Sequence, residues 1–125
     1  MAKILSVDDS TVMRKIIASC VQELGYDLLE AKDGLDAISV LERNGPQDVA
    51  LILLDWNMPV MNGYEFLTRI KARPEFKPLK VMMVTTESEK ASVIRAIQAG
   101  ACHYVTKPFT KEDLAKRITE ALGKG

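Results

Sequence analysis

The stretch VALILLDWNMPVMNG, residues 49–63, decides the fold. Its opening run, Val49 to Leu54, is apolar throughout and offers no polar face. A strand of that kind belongs inside a parallel sheet covered on both sides. The run ends on a carboxylate, Asp55. Trp56 follows, the only tryptophan of the chain, and then two turn-prone sites, Asn57-Met58-Pro59 and Asn62-Gly63. A charge at the tip of a buried strand costs free energy unless something pairs with it. The remaining chain must therefore bring a partner to the same place.

Outward from this stretch, strand-like and helix-like segments alternate. KILSV (3–7), DLLEA (27–31), LKVMMVT (79–85) and CHYVT (102–106) read as further strands. Between them, Met13, Ile16, Ile17, Cys20 and Leu24 recur at helical steps before Gly25. Asp33 can cap a second helix that buries Leu35, Ile38 and Leu41 and stops at Asn44-Gly45-Pro46. Tyr64, Phe66, Leu67 and Ile70 predict a third helix ending before Pro74. A fourth runs from about Ser88 to Ala99 and closes at Gly100. Thr110 to Asp113 forms a capping-box start for a fifth, burying Leu114, Ile118 and Leu122. Five strands alternating with five helices predict an α/β fold, a doubly wound parallel sheet in one domain over residues 1–125.

Composition narrows the functional classes. The 125 residues are 47% hydrophobic and 27% charged, as in a globular chain, and 17 basic side chains cancel 17 acidic ones. That balance argues against a nucleic-acid partner. No apolar run approaches the roughly 20 residues needed to span a bilayer, and MAKILSVDDS lacks the core of a signal peptide. The expectation is a cytoplasmic protein without a membrane partner. Cys20 and Cys102 match no metal or redox spacing and read as small buried hydrophobes. His103, the sole histidine, reads as structural or exposed.

In a doubly wound sheet, ligands gather beyond the carboxyl ends of the strands. Those ends carry Asp8-Asp9, Asp55, Thr85-Thr86 and Lys107-Pro108, whereas Lys32-Asp33 is accounted for by helix capping. Three neighbouring carboxylates repel one another, and a hard divalent cation relieves the repulsion. Mg²⁺ suits such a set, and Lys107 completes the charge balance. With no histidine or cysteine in the cluster, zinc is disfavoured. Such a site fits phosphoryl transfer, which needs positioning and charge neutralisation above all. Asp55 is then the natural nucleophile, to become an aspartyl-phosphate. Helix capping alone accounts for single acids in this set but not for their joint placement.

VDDS, LLDWNMPVMNG, MVTTES and YVTKPF together resemble the motifs of bacterial response-regulator receiver domains, over essentially the whole chain. The resemblance is strongest to the single-domain chemotaxis regulators, at DWNMP and KPFT. It implies a flavodoxin-like (βα)5 sandwich with strand order 2-1-3-4-5. It implies Asp55 as phosphoacceptor and Asp9 and Asp55 as Mg²⁺ ligands, with the Asn57 carbonyl, and Asp8 mostly through water. Thr85 matches the switch hydroxyl, Lys107 the family lysine with a cis bond to Pro108, and Tyr104 the aromatic switch. Asn57 and Glu87 match positions that tune autodephosphorylation. Asn62 stands where the family commonly has Asp, a departure outside the catalytic set. The implied partners are a histidine kinase as phosphodonor, a downstream target such as a flagellar motor switch, and a phosphatase.

The chain ends at EALGKG, so output is expected to be a binding event by a monomeric signalling domain with only self-phosphorylation and autodephosphorylation activity. On the fourth helix, Ala91 and Ile94, with Ala101 beyond it, are expected on the buried side. Val93 and Ile97 form a second apolar pair. With Tyr104 they suggest a docking patch rimmed by Lys90 and Arg117; a wide core stripe or a homodimer contact is the competing reading. A magnesium-dependent aspartate phosphatase is a rival function, but such enzymes carry the nucleophile in a DxD motif on the first strand. A phosphate shuttle or sink also competes, as does a receiver serving only as an interaction module.

Overall fold

The structure, a computed structural model, describes residues 2–86 and 90–123. Five strands alternate with five helices: β1 Lys3–Val7, α1 Thr11–Glu23, β2 Asp27–Ala31, α2 Gly34–Asn44, β3 Val49–Asp55, α3 Gly63–Lys71, β4 Val81–Thr86, α4 Lys90–Ala99, β5 His103–Lys107 and α5 Lys111–Ala121. A short 3-10 turn, Pro46–Asp48, leads into β3. The strands form one parallel sheet of order β2-β1-β3-β4-β5, the flavodoxin-like order expected.

The doubly apolar runs separate into two cores because successive strand residues face opposite sides. Leu5, Val7, Ile52, Leu54, Val81 and Met83 pack under α2, α3 and α4, where Leu41, Phe66, Leu67, Ile70 and Ala96 meet them. Ile4, Leu51, Leu53, Met82 and Val84 pack under α1 and α5, against Ile17, Val21, Leu114 and Ile118. Side chains cap the helix starts. Ser10 accepts the Met13 N–H at 3.2 Å and Asp33 the Asp36 N–H at 2.8 Å. Asn62–Glu65 and Thr110–Asp113 are reciprocal capping boxes, each satisfying two backbone donors that the helix leaves unpaired.

The elements form as the periodicities predict, but several faces do not. Ile16 is 40% exposed and Leu35 48% exposed, although both repeat at core spacing. Leu122 is only half-buried, because it lies past the last turn of α5 as its C-cap. On α4 the assignment inverts. Ala91 is exposed and Ile94 is 66% exposed, while Ala96 is fully buried and Val93 is half-buried against the core. Helix α4 packs close to the sheet and α3 through its small residues, so its isoleucines turn outward. Cys102 is also exposed rather than buried. The expected start of this helix at Ser88 lies outside the described residues.

Candidate functional site

Strand register assembles the polar residues. Val7 is level with Leu54 and Asp55 with Val84, so Asp8 follows β1 at the height at which Asp55 ends β3. One step further along, Thr85 pairs with Thr106 and Thr86 with Lys107. Four strands thereby deliver Asp8-Asp9, Asp55, Thr85 and Lys107 to one edge. The carboxylate oxygens of Asp8, Asp9 and Asp55 come within 4.8 Å of one another. Lys107 Nζ stands 3.4 Å from Asp55 Oδ1 and 3.7 Å from Asp8 Oδ2. Its bond to Pro108 is cis.

The electrostatics of this edge are unusual for surface acids. Burial, and after it the neighbouring Asp8 charge, pushes the Asp55 carboxyl up from 3.8 to about 6; Lys107 and the Asn57 N–H pull the other way. Burial likewise raises Asp8, opposed chiefly by its hydrogen bond from the Ser10 N–H, 2.8 Å from Oδ1. Asp8 Oδ2 is buried and has no hydrogen-bond partner. A buried carboxylate oxygen without a hydrogen bond, set among two more acids and an ammonium, is what a cation site presents. All donors are hard oxygens, so the set fits Mg²⁺ and not zinc.

Thr85 is buried, with its hydroxyl 3.4 Å from the Thr86 carbonyl. Trp56 is buried beside Asp55, edge-on to Tyr64 at 6.2 Å, and Asn57 is exposed. Gly63 lies so close to Trp56 that a Cβ there would stand 2.7 Å from its ring. Tyr104 is half-exposed on β5, and the Arg117 guanidinium lies 5.7 Å from its ring centre. Ile97 is 46% exposed nearby on α4, and Val93 and Tyr104 pack on the same core. Glu87 and the side chain of Lys90 lie outside the described residues.

One contact at this edge has no counterpart among the sequence motifs. Arg14, in the first turn of α1, donates from Nη1 to the Asp8 carbonyl at 2.7 Å. The available signal was a cation placed at a helix start, where the macrodipole disfavours it.

A five-stranded doubly wound sheet with an acid cluster at the switch point and a lysine opposite defines a class. Residues 4–119 match the family described as response regulator receiver domain, and the chain belongs to it. A chemotaxis protein CheY homolog of Campylobacter jejuni is 43% identical over 98% of this chain and 94% of its own length. Chemotaxis protein CheY1 of Helicobacter pylori is also 43% identical, over 97% of both chains. Among solved structures, CheY4 of Vibrio cholerae superposes with a TM-score of 0.87 at 32% identity, covering 97% of this chain and 98% of that one. The chain is thus a CheY-like receiver of two-component signalling, a signalling domain and not a conventional enzyme. Among the described residues, no helix is long and apolar enough to cross a membrane.

Proposed function

We propose that the chain is a phosphorylation-activated switch that accepts a phosphoryl group on Asp55. The observation that carries this reading is the pairing of Asp55 with Lys107 at 3.4 Å beside Asp8 Oδ2, which is buried without a hydrogen bond. An Asp55 oxygen forms the new bond to phosphorus as the donor's phosphorus–nitrogen bond breaks, the donor being a phosphohistidine of a histidine kinase. Lys107 holds one phosphoryl oxygen and the Thr85 hydroxyl another. Asp8, Asp9, Asp55 and the Asn57 carbonyl would hold Mg²⁺, which supplies the charge neutralisation this transfer requires. Asn57 and Glu87 set the approach of the water that later hydrolyses the acyl phosphate.

Output follows as a population shift between two arrangements of Thr85 and Tyr104. The receiving surface is the face of α4, β5 and α5, with Lys90, Val93, Ile97, Tyr104 and Arg117. The exposed Ile94 belongs to the same helix face as Ile97. The similarity to CheY proteins supports a chemotaxis role, in the cytoplasm, as a monomer acting on a flagellar motor switch. A phosphate shuttle or sink is the second reading, supported by the same site.

Trp56 tests the site optically. Mg²⁺ and then beryllofluoride should change its fluorescence in two saturable steps. An unresponsive chain, or a response that survives Asp55→Asn, contradicts the assignment.

A further inference from the structure

We propose that Arg14 is a positioning residue for the cation site, clamping the peptide that links its two adjacent acids. The inference rests on the reading of Asp8, Asp9 and Asp55 as metal ligands.

Every polar atom of Asp8 but one is already engaged. Its N–H donates to the Ala31 carbonyl at 3.0 Å, which continues the β1–β2 ladder past Val7. Its Oδ1 accepts the Ser10 N–H at 2.8 Å. Its carbonyl accepts Arg14 Nη1 at 2.7 Å. Only Oδ2 is left, and it faces the cluster. The carbonyl contact has a separate consequence, because that oxygen belongs to the peptide plane joining Asp8 to Asp9. Fixing the plane fixes the direction in which the chain leaves Asp8, and hence where the exposed Asp9 carboxylate can point. The Ser10 N–H bond to Asp8 Oδ1 holds the far side of Asp9, and the Arg14 contact holds the peptide that precedes it.

The guanidinium is itself anchored. Arg14 Nε lies 3.4 Å from Glu30 Oε1 on the edge strand β2, and the arginine side chain is only 22% exposed. One hydrogen bond and one ion pair from a single rigid fork bridge β2 to the β1–α1 turn, which a lysine cannot imitate. The placement also overrides a local rule. The first turn of α1 carries no acidic residue and instead holds this cation near the positive end of the helix dipole. Residues that break local rules without a packing gain are those to suspect of serving a site. Groups that orient metal ligands without touching the metal typically change affinity 10- to 100-fold.

The test is the Mg²⁺ midpoint of Trp56 fluorescence, read alongside thermal melting without metal. Arg14→Ala should weaken Mg²⁺ binding roughly 10-fold, the low end for such groups. Arg14→Lys keeps the charge but not the fork and should stay several-fold weak. As a control for mere destabilisation, Arg73→Ala, which removes ion pairs to Glu42 and Glu75 at the far end of the sheet, should lower the melting temperature without moving the midpoint. An Arg14→Ala midpoint within about twofold of wild type, or full rescue by lysine, overturns the clamp. Should Arg14→Ala not fold, Glu30→Gln carries the test: a weaker midpoint supports the anchor and an unchanged one removes it. A wild-type chain with no Mg²⁺ response overturns the functional reading itself.

Discussion

Lys107 Nζ faces Asp55 Oδ1 at 3.4 Å, although the two residues stand on strands separated by β4. A charge-assisted hydrogen bond normally closes to about 2.7–2.9 Å. The contact is long for such a bond, and an ammonium carries three donors, so Lys107 can also hold an oxygen of a third group lying beside the carboxylate.

Replacing Lys107 with Ala should therefore spare the fold and impair the reaction. Asp55 keeps its burial and its repulsion from Asp8 but loses the charge that opposes them, so its carboxyl rises above about 6. Loss of one preorganised group at developing charge costs about 100-fold in rate. Phosphorylation by a small acyl phosphate, followed by Trp56 fluorescence, should slow by that order. An unaltered rate would remove Lys107 from the mechanism.

The metal-free protein should lose stability as pH rises through 6. The Asp55 carboxyl sits at about 6 in the folded chain against 3.8 when unperturbed, so the folded state holds the proton more tightly. Its contribution is complete below pH 3.8 and disappears as pH rises through about 6. Burial shifts Asp8 in the same direction. Melting temperature measured in chelator should fall between about pH 4 and pH 6 and level off above, and Asp55→Asn should flatten that fall and raise the pH 7 value by about 3–6 °C. Saturating Mg²⁺ should reverse the loss, since at 100 times Kd a ligand adds about 2.7 kcal/mol.

Gly63→Ala should disturb the site from outside it. The added Cβ would lie 2.7 Å from the Trp56 ring, 2.9 Å from Trp56 Cα and 3.0 Å from the Asp55 carbonyl. Two of these are backbone atoms, which cannot swing aside. Overpacking of this kind costs about 1–3 kcal/mol, and the Trp56 emission maximum should move with it. A variant as stable as wild type with unchanged emission would show that the loop yields freely.

Val60 offers the opposite outcome. It is 71% exposed and has φ +68°, a conformation that β-branched residues rarely adopt. The Met61 N–H donates to the Pro59 carbonyl at 2.7 Å across it, closing a one-residue turn. Asn tolerates this region, so Val60→Asn should add about 1 kcal/mol to urea stability at an unchanged m-value.

Much of this architecture is legible from the chain because strand ends are legible. Once Val49–Leu54 is read as a central strand, Asp55 lies at the switch point, and Asp8, Thr85 and Lys107 follow by the same reading. Side-chain destinations are less visible. Ile94 and Ala96 are two steps apart on α4, and hydropathy alone puts the isoleucine inward. Close packing of the helix favours the alanine. Arg14 shows in the sequence only as a cation at a helix start, because its partner is a backbone carbonyl, which no motif records.

The central claim is covalent, and intact mass spectrometry tests it most directly. Treated with acetyl phosphate and Mg²⁺, the wild-type chain should gain one phosphoryl mass, located to Asp55 by borohydride reduction and peptide mapping. Asp55→Asn should gain none at that position. A phosphoryl group found elsewhere in the wild-type chain, or an equal gain in Asp55→Asn, would contradict the account.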